Sequence, residues 1–142
     1  MTSVTLVRRI RARPEIVFDA VTTTEGIAHW WCPDEGPVLS SECEARVGGR
    51  YRVRFRLLDD SEHENSGEFL EIVRPELVVM SMSWKDGVPD PGESRVEIRF
   101  RTVAEGTEIT VTHSQLHDER SRSSHTEGWT GALRRLEAYC AG

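Results

Sequence analysis

A chain of 142 residues is the usual size of one domain, and a domain of this length buries roughly 70% of the surface exposed by its unfolded chain. A hydrophobic fraction of 37% against 30% charged residues excludes a disordered chain. No apolar run approaches the ~20 residues that cross a bilayer, so no membrane insertion is expected. The net charge of −6 argues against nucleic acid as the main partner and favours a small apolar molecule or another protein.

The first residues alternate polar and apolar and lack the apolar stretch of a signal peptide, which predicts a cytoplasmic protein. Cys32, Cys43 and Cys140 form an odd, widely spaced set, as expected of reduced thiols rather than a disulfide framework. Residues 3–11 read as a strand with Val4, Leu6 and Arg8 on one side. Pro14 then suits the first position of a helix, and Ile16, Val17, Ala20 and Val21 give it one apolar stripe. A second short helix over 25–31, capped by threonine, ends in the Pro33–Pro37 stretch.

From there to residue 114 the pattern is strands and turns. Residues 41–47 lead to Gly48-Gly49, a hairpin signal that puts Cys43, Ala45 and Val47 on the inner face. Tyr51, Val53, Phe55 and Leu57 alternate with Arg50, Arg52, Arg54 and Arg56, apolar inside and basic outside. Residues 59–66 read as a polar turn, 67–73 and 77–84 as strands, and 85–93, with two prolines and two glycines, as a loop. Val96, Ile98 and Phe100 mark the next strand; Ile109, Val111 and His113 mark the last. Trp129, Leu133, Leu136 and Cys140 fall on one stripe of a C-terminal helix, where Gly128 is expected to let the backbone approach the sheet and to mark a start or bend. Short connections require antiparallel pairing, and only the final helix is long enough to cover the sheet. The expectation is a single α+β domain over residues 1–142, a curved antiparallel sheet gripping its last helix.

In this order, Pro14-Glu15-Ile16-Val17-Phe18, His29-Trp30-Trp31-Cys32-Pro33, Val47-Gly48-Gly49-Arg50-Tyr51, Gly67-Glu68-Phe69-Leu70-Glu71-Ile72, Leu77-Val78 with Trp84, the 106–113 run and Gly128-Trp129-x-x-x-Leu133-x-x-Leu136 resemble the family named for the activator of the heat-shock protein 90 ATPase. That family belongs to the START-like (SRPBCC, polyketide cyclase and birch-pollen-allergen) group. The resemblance spans about residues 4 to 140 and implies the helix-grip fold. It covers the C-terminal domain of the eukaryotic activators, whose additional N-terminal domain makes a large part of the chaperone contact. It implies a cavity for a small hydrophobic molecule, a cyclase- or hydrolase-type enzyme in that cavity, or a co-chaperone-like role in the stress response.

The residues themselves offer three kinds of chemistry. Trp30, Trp31, Phe55, Met80 and Met82 supply large, polarisable surface between sheet and helix, joined by Trp84, Phe100 and Trp129. His113 shares the inward parity of Ile109 and Val111, and His125 lies one helical turn before Trp129, so the two imidazoles are candidates for orienting a ligand or for acid–base work. Glu71 joins them only if Phe69 and Val73 point inward; if Leu70 and Ile72 do, it lies outside. Neither parity is decided by the pattern. Cys32 is expected near the surface, with nothing to activate its thiol. The arginine stripe reads as a solvated face paired with Glu42, Glu44, Glu97 or Glu108. No metal-ligand spacing and no phosphate-cradling loop occurs, so no metal or cofactor is expected; a monomer or homodimer is expected. The preferred expectation is binding of an aromatic or lipid-like molecule rather than catalysis.

Overall fold

The structure, a computed structural model, describes residues 2–142. Its elements are β1 (Thr2–Ile10), α1 (Pro14–Thr22), α2 (Thr24–Trp30), β2 (Val38–Cys43), β3 (Arg50–Arg56), β4 (Glu62–Val73), β5 (Leu77–Trp84), β6 (Glu93–Val103), β7 (Gly106–Leu116) and α3 (Glu119–Ala141). The seven strands form one antiparallel sheet in the order β1-β7-β6-β5-β4-β3-β2. β1 and β2 are its two edges, so α1 and α2 carry the chain from one edge to the other and close one end of the concave face. This is the expected α+β helix-grip arrangement.

Local signals set the helices. Pro14 occupies the start of α1, where its missing N–H removes no helical bond. The Thr23 hydroxyl accepts from the Gly26 N–H at 3.0 Å and caps α2, and Asp118 does the same for α3 through the Ser121 N–H at 2.9 Å. Leu133, Leu136 and Trp129 of α3 and Val17, Phe18 and Val21 of α1 join Val53, Phe55, Phe69, Met80, Ile98 and Val111 of the sheet in one core. The helix lies against β1 and β7 on one side and against α1 and α2 on another. An ion pair from Arg8 to Glu137, 2.6 Å long, ties it to the β1 edge. The β3–β5 end of the concave face is left to smaller elements.

Several boundaries differ from expectation. β4 starts at Glu62, not Gly67; the turn before it is confined to residues 57–61, where Asp60 takes a positive φ of 71° and Leu57 N–H donates to the Ser61 carbonyl. β2 starts at Val38 and stops at Cys43, and the chain then leaves the ladder in a turn closed from Gly49 N–H to the Arg46 carbonyl. Ala45 and Val47 are therefore exposed rather than inward, and only Gly48 of the glycine pair has a positive φ. α3 begins at Glu119, well before Gly128. The close helix approach falls at Gly131, where an added Cβ would lie 1.7 Å from the Pro33 carbonyl oxygen. At Gly128 the same atom would only touch the Pro33 ring at 3.8 Å.

Candidate functional site

Where α3 departs from the β3–β5 end of the sheet, a cavity of about 480 Å³ remains. Phe55 of β3, His63 and Asn65 of β4, and Met82 and Trp84 of β5 form its sheet wall. Trp30, Trp31 and Cys32 close its floor; His125, Gly128 and Trp129 of α3 face them. Val88 and Pro89, from the loop between β5 and β6, and the exposed Ser124 and Glu127 mark its mouth.

All four tryptophans of the chain border this space. Trp31 packs against Trp30 at 5.3 Å and against Trp129 edge-on at 6.2 Å, between ring centroids; Trp84 meets Phe55 edge-on at 6.2 Å. Every indole N–H is engaged by protein: Trp30 donates to the Ala20 carbonyl at 2.8 Å and Trp31 to Asn65 Oδ1 at 2.9 Å. Trp84 donates to His125 Nε2 at 3.1 Å and Trp129 to His113 Nδ1 at 3.0 Å. With their polar edges tied back, the indoles leave hydrocarbon to line the cavity.

These bonds fix the two buried histidines. An indole N–H can only donate, so the nitrogen it reaches carries a lone pair and the other ring nitrogen carries the proton. His113 therefore donates from Nε2 to Ser94 Oγ at 2.7 Å, and Ser94 in turn donates to the Met82 carbonyl. His125 donates from Nδ1 to the Ser121 carbonyl at 2.8 Å. The rings stand edge-to-face, 4.4 Å apart, with no hydrogen bond between them. Burial, and secondarily the neighbouring His125, pushes His113 down to about 3; burial lowers His125 as well, partly opposed by its bond to Ser121 and by Asp90. Asp90 is itself buried: its Oδ2 accepts from Ser121 Oγ and from the His117 N–H, pinning the 85–93 loop to the start of α3.

The expected site residues thus divide. Trp30, Trp31, Phe55, Met82, Trp84, His125 and Trp129 come together around the cavity. His113 does not line the cavity; it lies behind Trp129 and His125, which do. Met80 sits deeper in the sheet, opposite Phe69 and Val96, and Phe100 packs on Phe18 at the far end, 5.2 Å between centroids; both are core. Glu71 is outside. A β-bulge between Phe69 and Glu71 switches the parity, so Phe69 and Ile72 both turn inward while Leu70 and Glu71 are exposed. Cys32 is buried, not superficial, because the chain after α2 packs against the Arg56 end of β3; burial raises its thiol pKa.

Two cavity residues, His63 and Asn65, fell in the stretch expected to be a turn. Both alternate in step with Gly67 and Phe69, so period-2 counting backwards from Phe69 would have placed them inside. The arginine stripe is paired as a solvated face: Arg52 with Glu42, Arg54 and Arg56 with Glu62, Arg99 with Glu97 and Arg101 with Glu108, whereas Glu44 meets Arg46. Among the described residues no three His, Cys, Asp or Glu side chains converge as a metal-ligand set, and no helix is long and apolar enough to cross a membrane.

The family described as "Activator of Hsp90 ATPase homolog 1-like protein" matches residues 11–141. Among solved structures, a protein from Chromobacterium violaceum is 26% identical, with 99% of this chain and 97% of that one covered and a TM-score of 0.87. The AHSA1 protein from Silicibacter pomeroyi is 25% identical over 97% and 96% of the two chains, with a TM-score of 0.85. An AHSA1-like protein from Aeromonas hydrophila, 21% identical over 97% and 91%, has a TM-score of 0.78 and shares the fold. No curated protein matches the chain.

Proposed function

The chain belongs to the activator of Hsp90 ATPase homolog 1-like family, and from that premise and the cavity we propose that it binds a small hydrophobic molecule with aromatic rings between its sheet and its C-terminal helix. One observation carries the reading: a space of about 480 Å³ bordered by all four tryptophans, each with its N–H turned back into the protein. Small-molecule sites commonly enclose ~300–1,000 Å³ and are mostly apolar with a few placed polar groups. Stacking on indole faces favours a flat ring over a flexible chain.

Two other readings have less support. An acid–base enzyme usually pairs titratable groups in its cavity, and the basic nitrogens of His113 and His125 are both occupied by indole N–H groups, which leaves His63 as a lone imidazole among the lining residues. A co-chaperone role through the arginine stripe would compete with carboxylates already paired to most of its guanidinium groups.

Thermal denaturation against flavonoids, polyketides and fatty acids tests the reading. A ligand present at a hundred times its Kd stabilises the folded state by about 2.7 kcal/mol, which for a domain of this size raises Tm by roughly 5–10 °C. The expected result is such a shift for members of the aromatic classes, with smaller shifts for fatty acids. An unmoved Tm across the whole panel would contradict it.

A further inference from the structure

The walls of the cavity carry full charge of one sign only. Among the lining residues are two carboxylates, Asp34 and Glu127, and no lysine or arginine. The tryptophans act in the same direction. An indole has a negative ring face and a positive edge, and here each N–H, the most positive part of that edge, is spent on a protein acceptor. On the sheet wall Asn65 is engaged by Trp31, and the His63 ring meets the Ser61 hydroxyl at 3.0 Å. The groups left to read a ligand's charge are the carboxylates.

The two differ in how far the protein already answers them. Asp34 accepts from the Gly36 N–H at 2.8 Å through Oδ1 and from the Leu58 N–H at 3.1 Å through Oδ2. The Arg135 guanidinium lies close by, donating to the carbonyls of Asp34 and Gly36. Glu127 stands exposed at the mouth and belongs to no ion pair among the described residues. Its neighbours one turn away along α3 are Ser123, Ser124, Thr130 and Gly131, so its own helix supplies no cation.

We propose that the cavity selects its ligand by charge and takes an aromatic amine, with the rings among the tryptophans and the ammonium at the mouth beside Glu127. An ammonium placed there keeps part of its hydration, so it loses little on binding while gaining the carboxylate and the nearby indole faces. A carboxylate in the same position would meet Glu127 with like charge and find no cation in the lining. This inference rests on the binding reading above and adds the class of ligand.

Calorimetric or NMR titration with naphthylethylamine, naphthylethanol and naphthylpropionate keeps the rings constant and changes the charge. At about pH 8 and low salt the amine is cationic and an ordinary imidazole is neutral. The expected order is amine, alcohol, carboxylate, with the amine about three- to tenfold tighter than the alcohol, as a partly exposed ion pair and a cation–π contact would give. That advantage should shrink at high salt. Glu127→Gln, at an exposed position without a protein ion pair, should lessen the amine's advantage and strengthen binding of the carboxylate. An alcohol or carboxylate that binds the unaltered protein as tightly as the amine would overturn the charge selection while leaving the cavity a binding site. An amine preference untouched by Glu127→Gln would overturn the placement of the ammonium. Failure of all three compounds to bind would remove the binding reading as well.

Discussion

Each buried histidine has one nitrogen able to accept a proton, and an indole N–H sits on it. The consequence for stability is directional. His113, normally titrating near 6.5, is held down to about 3 by burial and by the adjacent His125. Below pH 6.5 the unfolded chain takes up a proton on residue 113 that the folded chain refuses, so stability falls as pH drops from 6.5 towards 3; above 6.5 neither state is protonated there and the effect vanishes. The full loss attributable to this group is on the order of 4–5 kcal/mol, and the lowered His125 acts in the same sense. A His113→Gln protein, compared with the unaltered chain by urea unfolding between pH 6.5 and 4, should lose stability less steeply by about one proton, or about 1.4 kcal/mol per pH unit. Parallel curves would mean that His113 titrates normally. The same bond argues for Trp129. Trp129→Phe keeps a ring against Trp31 but strands His113 Nδ1 without a donor, and should cost about 1–3 kcal/mol measured by denaturant unfolding. A change within experimental error would show that the bond carries no weight.

The last helix depends on two glycines with opposite roles. Gly131 lets α3 pass against the Pro33 carbonyl, where a methyl group finds 1.7 Å and no flexible neighbour to displace. Gly128, one turn earlier, faces the Pro33 ring at an ordinary contact distance of 3.8 Å. Gly131→Ala should therefore lower Tm, since helix or loop must move. Gly128→Ala should raise stability by up to about 1 kcal/mol through helix propensity, while putting a methyl group at the cavity wall. The reverse order would contradict the packing described here. This pair also shows what was legible at the level of elements. The stripe Trp129-Leu133-Leu136 places the helix and its buried face, because period 3.6 survives any tertiary context. Which glycine makes the close approach depends on where the loop through Pro33 runs, and no local pattern carries that. β4 is similar: its inner residues His63, Asn65 and Gly67 include no large apolar side chain, so the hydrophobic signal starts only at Phe69, and the bulge beyond it reverses the parity that would place Glu71.

Across the whole molecule the division of labour follows the shape of the sheet. Seven strands curve around a helix that covers the β1–β7 side, and packing there is closed by Val111, Ile109, Leu133 and Leu136, all at most 2% exposed. At the β3–β5 end the loop carrying Val88 and Pro89 takes the helix's place, pinned by the buried Asp90 to Ser121 and the His117 amide. The large apolar content of that end was visible in the sequence: Trp30, Trp31, Phe55, Met82, Trp84 and Trp129 all reach the cavity. Its polar content was not, because His63 and Asn65 become meaningful only once their partners Ser61 and Trp31 are placed.

The four indole N–H groups provide a direct view of the cavity, since each has a different acceptor and should resonate separately in proton–nitrogen correlation spectra. Titration with a neutral two- or three-ring aromatic compound should shift the signals of Trp31, Trp84 and Trp129 in a saturable way through ring currents, leaving amides of the exposed strand positions Thr5 and Val7 in place. Indole signals that stay fixed at saturating concentrations of every such compound, or that move only together with the whole spectrum, would contradict a ligand-binding cavity between sheet and helix.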